Sequence, residues 1–370
     1  MTNQRQRPKI ALIGYRLSGG GSERVMANLS LFLERNEIDV HCIIVLNETG
    51  YSYGGKLLNL GLLKDKSNGF YNKWVRFKVL KKYLADNRFD YIIDFRFRTK
   101  IIQELLLSRW VYNTKTIFTV HSFLINHYMP YSSWLTRIMY GKSFATVAIN
   151  NQIKDLIEAQ HKLNNVVRIY NPIPIEAIKR KEEEEELVCE FEYVVAVGRL
   201  DDSLKQFDVL IACYAKSQLP QKNIHLTIVG EGNLKPELQQ FAVQLKVDAF
   251  VHFVGFQANP FKYLKNAKFT LLTSVNEGMP MVLLESLACE TPVVAFDCDS
   301  GPREIIQNNE NGFLVENQNK EKLIEAMNLM VSDSELYVNC KKNALQSVQK
   351  FSLEIIGTQW LNLMQIKNNP

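Results

Sequence analysis

FTLLTSVNEGMPMVLLESLACETPVVAF, residues 269–296, reads as strand, loop, helix and strand in one run. FTLLTS and PVVAFD are nearly continuous runs of large apolar and β-branched residues, as expected of parallel strands buried on both faces. Between them Pro280 suits the first position of a helix, where its missing N–H would be unpaired anyway. The same alternation runs outward in both directions. Before it lie strand candidates at Tyr193–Leu200, His225–Gly232 and Val251–Phe256. In the first half they fall at Lys9–Tyr15, Val40–Leu46, Tyr91–Arg96, Thr116–His121, Ala145–Asn150 and Val166–Asn171. Longer segments of helical spacing separate them, so the expectation is an α/β chain of two doubly wound Rossmann-like parallel-sheet domains with a cleft between them.

The chain has 370 residues, beyond the size at which a single core usually stops growing. Asn171-Pro172-Ile173-Pro174 and the charged run KRKEEEEE (Lys179–Glu186) mark a seam. We expect an N-terminal domain at 1–175, a C-terminal domain at 190–350, and a final helix at 351–370. In that helix Leu353, Ile356, Trp360 and Leu363 share one face and pack it back on the N-terminal domain. The sequence holds no run of 18 uncharged apolar residues, and MTNQRQRPKIALIGY lacks the apolar core of a signal peptide. Six scattered cysteines without CxxC pairing fit reduced thiols. A cytoplasmic location follows as the expectation. Charge is uneven: residues 1–170 carry 25 Lys+Arg against 12 Asp+Glu, and residues 171–370 carry 19 against 27. The basic half suits an anionic partner.

Ligands of open parallel sheets sit beyond the carboxyl ends of the strands, so the residues there carry the chemistry. Glu277 and Gly278 precede the helix that opens near Met279-Pro280, whose free amides suit phosphate. Glu277 in the loop and Glu285 two turns into the helix can bind hydroxyls on either side of a diphosphate, as a nucleotide sugar presents them. Arg199 and Lys205, in VGRLDDSLK, can neutralise a departing diphosphate without a metal. Gly230 and Gly232 of GEG follow the next strand and would admit a base or ribose. Gly19, Gly20 and Gly21 of LSGGGSERV open a helix after the first strand and could bring amides to phosphate or sugar. Arg96 and Arg98, with Lys100 in DFRFRTK, are read as holding the phosphate of a polyprenyl-diphosphate-linked acceptor. The helix NKWVRFKVLKKY (Asn72–Tyr83) mixes aromatic and basic residues and could contact an anionic membrane.

These motifs, with SGPREII, NGFLV and TVHS, resemble the retaining glycosyltransferases of family 4, of the GT-B fold. They are most similar to bacterial enzymes that use UDP-sugars in lipid-linked oligosaccharide or surface polysaccharide assembly. The resemblance implies that Glu277, assisted by the Gly278 and Met279 amides, contacts the transferred sugar. It places the Met281 and Val282 amides on the phosphates, Glu285 on the ribose, and Arg199 with Lys205 on the diphosphate. His121, ending TIFTVH, matches a histidine beside the transferred sugar, and Pro280 removes one amide contact found in some relatives. The expected activity is transfer of a hexose or N-acetylhexosamine from a UDP-sugar to a glycan or lipid-linked acceptor. Other readings are weaker. A non-catalytic nucleotide-sugar-binding subunit would bind without turnover, and a phosphorylase would need a phosphate acceptor. GYRLSGGGSER lacks the GxGxxG spacing of a dinucleotide site. Asp297-Cys298-Asp299 and Asp201-Asp202 look like metal-binding pairs, but no metal and no cofactor is expected. No stacking motif supports nucleic acid.

Overall fold

The computed structural model describes residues 7–64, 69–184, 186–201 and 203–367. The chain divides into two compact units, Met1–Ile173 with Leu353–Pro370, and Pro174–Ser352. Each is a wound parallel sheet.

In the first unit β1 (Lys9–Gly14), α1 (Gly21–Arg35), β2 (Asp39–Ile44) and β3 (Lys56–Asn59) are followed by α2 (Phe70–Asn87), β4 (Tyr91–Asp94) and α3 (Ile101–Leu106). A π-helical turn, Leu107–Val111, ends α3. Then come β5 (Lys115–Val120), α4 (Ser133–Tyr140), β6 (Ala145–Ala148), α5 (Asn151–His161) and β7 (Val166–Arg168). The strand order is β3-β2-β1-β4-β5-β6-β7, with every pairing parallel.

The second unit begins with α6 (Ile175–Glu183), β8 (Glu192–Val197), α7 (Phe207–Lys216), β9 (Ile224–Val229), α8 (Lys235–Gln244) and β10 (Val251–Gly255). It continues through α9 (Phe261–Asn266), β11 (Thr270–Leu272), α10 (Met281–Ala288), β12 (Val293–Phe296) and α11 (Pro302–Ile305). β13 (Gly312–Val315), α12 (Lys320–Ser332) and α13 (Ser334–Val348) complete it, in the order β10-β9-β8-β11-β12-β13. Both sheets reverse direction once, between β1 and β4 and between β8 and β11. Loops leaving adjacent strands in opposite directions open a crevice there, where ligands of such sheets bind.

Two edge strands, β3 and β13, were not expected as strands. Both have four residues, too short to show a period, and β3 is only half-buried because an edge strand packs on one side. The final helix, α14 (Leu353–Leu363), lies against α1 in the first unit. Leu353, Ile356 and Trp360 are buried as their spacing requires, whereas Leu361 takes the buried place expected of Leu363. Tyr91 donates its hydroxyl to the Met364 carbonyl at 2.6 Å. Gly357 is needed at the crossing, since a Cβ there would meet the Phe32 ring at 2.5 Å. Trp360→Ala should cost about 3–5 kcal/mol through the cavity it leaves. Urea unfolding measures this; a loss below about 1 kcal/mol would mean that α14 does not stabilise the first core.

Candidate functional site

Two loops at the β8/β11 reversal are latched together by main-chain bonds. Val275 N–H donates to the Leu204 carbonyl at 2.8 Å. The Thr273 hydroxyl donates to the carbonyls of Lys205 and Gln206 at 2.9 and 3.1 Å. Gln206 itself sits in the left-handed region, φ 49°, which turns the short helical turn Ser203–Lys205 into α7. Because both loops are fixed, Lys205 Nζ reaches Glu277 Oε1 at 2.6 Å. Ser274 donates its hydroxyl to the same oxygen at 2.7 Å. The two charged side chains remain partly open to solvent, 27 % and 14 % exposed.

From the other side, Glu277 N–H donates to the Asp299 carbonyl and the Ser300 hydroxyl to the Gly278 carbonyl. Gly301, at φ 101°, passes so close to Pro280 that a Cβ would meet its ring carbon at 2.6 Å. The Glu277–Pro280 loop is thereby held ahead of Met281 and Val282, the first residues of α10, whose amides belong to an unpaired helix start. Residues 282–288 of that helix are buried all round, Glu285 included.

The structure brings Lys205, Glu277, Gly278, Met279, Met281, Val282 and Glu285 into one neighbourhood. Arg199 is exposed beyond β8 and makes no hydrogen bond or ion pair among the described residues. Gly230 and Gly232 have an internal reason to be glycine. A Cβ would fall 1.8 Å from the Gly198 carbonyl oxygen in one case and 2.2 Å from Leu200 backbone in the other. Close packing of two strand-end loops is sufficient to require both glycines.

In the first unit Gly20 caps the start of α1, and nothing lies near the missing side chain of Gly21. Glu23 occupies the space beside Gly20 and accepts a hydrogen bond from Ser22 at 2.8 Å. A carboxylate at this helix start disfavours phosphate and favours hydroxyls. His121, at the end of β5, keeps both ring nitrogens shielded from solvent and without a hydrogen bond. Asn171 lies near enough to act on the ring, but its own Oδ1 is also unbonded, so the two are not joined. Burial, then the charge of Arg98, pushes the imidazole down to about 3, so it is neutral near pH 7.

Arg96 and Arg98 require a correction. They do not face outward to an acceptor phosphate. Arg96 is 4 % exposed, pairing with Asp94 at 2.8 Å and Glu104 at 2.9 Å and donating to the Tyr112 hydroxyl at 3.0 Å. Arg98 donates to the carbonyls of Tyr128, Asp94, Arg96 and Thr119. Burial raises the Asp94 carboxyl but the two arginines more than offset it, so it stays below its usual range; for Glu104 burial wins and its carboxyl is raised. A buried guanidinium with most of its donors used inside has little left with which to hold a ligand. Of the three cations in DFRFRTK only Lys100 is exposed.

Two sequence models of known families match the chain: Glycosyltransferase Family 4 over residues 19–177 and Glycosyl transferases group 1 over residues 177–347. Together they run through both units. The chain belongs to the family 4 glycosyltransferases. It is an enzyme of the GT-B fold.

A similar relative of this glycosyltransferase is the N-acetylgalactosamine-N,N'-diacetylbacillosaminyl-diphospho-undecaprenol 4-alpha-N-acetylgalactosaminyltransferase of Campylobacter jejuni. It is 29 % identical over 93 % of this chain and 95 % of its own length. The lipopolysaccharide 1,6-galactosyltransferase of Salmonella typhimurium is 26 % identical over 83 % of this chain and 85 % of its own. Among solved structures, Anabaena HepE in complex with UDP-glucose has a TM-score of 0.76 at 18 % identity, covering 96 % of this chain and 99 % of its own.

Asp297, one of the aspartates resembling a metal pair, is clamped by Arg303 through two bonds of 2.9 and 2.7 Å. Asp202 lies outside the described residues, and among those residues no three His, Cys, Asp or Glu groups converge as a metal site. The residues that the sequence reading missed are Ser274, Thr273, Asp94, Glu104 and Tyr112. Asp94 had a signal: a carboxylate two residues before Arg96 in an otherwise apolar strand needs a buried partner. The others come together only through the fold.

Two outcomes test this geometry in the glycosyltransferase. Arg96→Met should cost about 3–5 kcal/mol in urea unfolding by stranding two buried carboxyls. The double variant Arg96→Met/Glu104→Met should recover part of that; no recovery would break the account of the network. For His121, the unfolded chain takes up a proton near pH 6.5 that the folded one refuses until about 3. Stability therefore falls as pH drops below 6.5, by at most about 1.4 kcal/mol per pH unit for this group. His121→Phe should flatten the fall in urea midpoint between pH 6.5 and 5, and an unchanged slope would contradict it.

Proposed function

We propose that this enzyme transfers a hexose or N-acetylhexosamine from a UDP-sugar to a lipid-linked glycan acceptor, with retention of configuration and without a metal ion. The observation that carries the reading is the Lys205–Glu277–Ser274 cluster ahead of α10. When the bond between the anomeric carbon and the diphosphate oxygen breaks, negative charge collects on the diphosphate. Lys205 and the amides of Met281 and Val282 form a cationic and dipolar end that can absorb it. Arg199, exposed on the same strand-end loop as Lys205, can swing in as a second cation. Glu277, held by Ser274, accepts hydroxyls of the transferred sugar, and Glu285 serves the ribose. Neutral His121 is assigned to the sugar as a hydrogen-bonding group that adds no charge.

The named relatives support the acceptor. The Campylobacter protein's name includes a diphospho-undecaprenol carrier, and the Salmonella protein's a lipopolysaccharide. Retention follows from the family resemblance. UDP as donor is supported by the solved relative that holds UDP-glucose.

A panel of nucleotide sugars, assayed by mass spectrometry for transfer or slow hydrolysis in the presence of a chelator, tests the reading. A UDP-sugar should be consumed at the same rate with and without chelator. Glu277→Ala should lower kcat by about 10²–10³ with the fold intact, and Lys205→Ala should do so by a similar factor. Ser274→Ala should cost about tenfold, as expected for one lost hydrogen bond to a charged group. Near-normal turnover in Glu277→Ala, or activity recovered only with added manganese, would overturn it.

A further inference from the structure

Three of the four tryptophans lie on one outer layer of the first unit. The steps β3 to β4, β4 to β5 and β5 to β6 all cross the sheet in one direction. Right-handed crossovers therefore put α2, α3 and α4 on the same sheet face. The π-helical turn after α3 packs against both α2 and α4. Trp74 projects from α2, Trp110 from the π turn and Trp134 from α4. Trp110 and Trp134 are 70 % and 67 % exposed, and Tyr71 and Tyr131, beside Trp74 and Trp134 in sequence, are 74 % and 77 % exposed. Trp360, by contrast, is buried in the core. Isolated exposed apolar residues are ordinary, but a concentration of the largest ones marks a contact surface.

The charge of the layer says what it contacts. Between Phe95 and Asn150 the sequence has a single carboxylate, Glu104, and that one is buried against Arg96. Lys73, Lys78, Arg109, Arg137 and Lys142 are exposed among the aromatics. Lys78 lies 3.5 Å over the Trp74 ring, sharing one spot between cation and indole. On α2 the exposed carboxylate is Asp86, near the end of the helix and 3.5 Å from Lys82. Indole and phenol rings interleaved with lysine and arginine, nearly without acidic groups, match the chemistry of a bilayer's interfacial zone. Rings enter the headgroup boundary while the cations meet anionic headgroups at its surface. No helix among the described residues is long and apolar enough to cross a membrane, so contact here is lateral.

We propose that this layer of the first unit, carried by Trp74, Trp110, Tyr131 and Trp134, docks on an anionic lipid bilayer. Docking extends the proposed lipid-linked acceptor, but it is measured without donor or acceptor, so it stands or falls separately. Full-length protein is mixed with vesicles of phosphatidylcholine alone or with about one quarter phosphatidylglycerol. It should float with the anionic vesicles only, release them in high salt, and shift its tryptophan emission to the blue. Trp110→Ser/Tyr131→Ser/Trp134→Ser should weaken vesicle partition by about tenfold or more, and Arg109→Glu/Arg137→Glu should do likewise. Both variants should keep the wild-type urea midpoint and UDP-sugar hydrolysis rate, which shows that they fold. Failure of the wild type to bind anionic vesicles, or equal binding by the variants, overturns the proposal. So does a dimer that the same substitutions dissolve, or binding of single-stranded oligonucleotide in preference to vesicles.

Discussion

The contact between Lys205 and Glu277 depends on almost everything else in the second unit. A flexible lysine and a loop glutamate at the surface would gain little from pairing, because solvent screens the attraction and both chains lose freedom. Here the freedom is already spent. Thr273 and Val275 bond to the carbonyls of Lys205, Gln206 and Leu204, so the loops after β8 and β11 form one piece. The parallel sheet makes this achievable. β8 and β11 are neighbours across the reversal of strand order, so their loops emerge side by side from a buried, rigid base. The pair is a preorganised charge arrangement and not a source of stability.

The first unit spends its charges differently. Arg96, Asp94, Glu104 and Tyr112 form a closed network beneath the end of β4, and Arg98 ties four carbonyls of surrounding segments together. Such groups are costly to bury and costlier to strand. They fix the backbone at the strand ends, including the turn that carries His121, whose ring lies 5.6 Å from Phe95 and whose protonation Arg98 opposes. The buried arginines of this unit are thus structural.

The sheets were legible in the sequence because buried parallel strands are continuous apolar runs, and eleven segments announced themselves that way. β3 and β13 did not, being short edges. Glu277, Lys205 and the start of α10 were legible as neighbours because Gly, Pro and charge fall just after strand ends, where ligands of such sheets bind. Arg96 and Arg98 misled for the same reason. Position after a strand marks where a side chain begins, and not whether it turns outward or back under the sheet. Burial and partners decide that, and both come from residues distant in sequence, such as Glu104, Tyr112, Thr119 and Tyr128. The glycines at 230 and 232 show the same limit, since a glycine that admits a ligand and one that admits a neighbouring loop look alike in a string of letters.

A diphosphate that meets Lys205 competes with the Glu277 carboxylate for its charge, and the strength of that competition sets any exchange of a Glu277 oxygen for one of phosphate. UDP affinity of wild type and Glu277→Gln, measured by calorimetry in chelator, addresses that exchange most directly. Freeing the lysine should tighten UDP binding by about tenfold, a gain of roughly 1.4 kcal/mol, in the variant that has lost transfer. Weaker UDP binding by Glu277→Gln, or binding that chelator abolishes, would contradict the account.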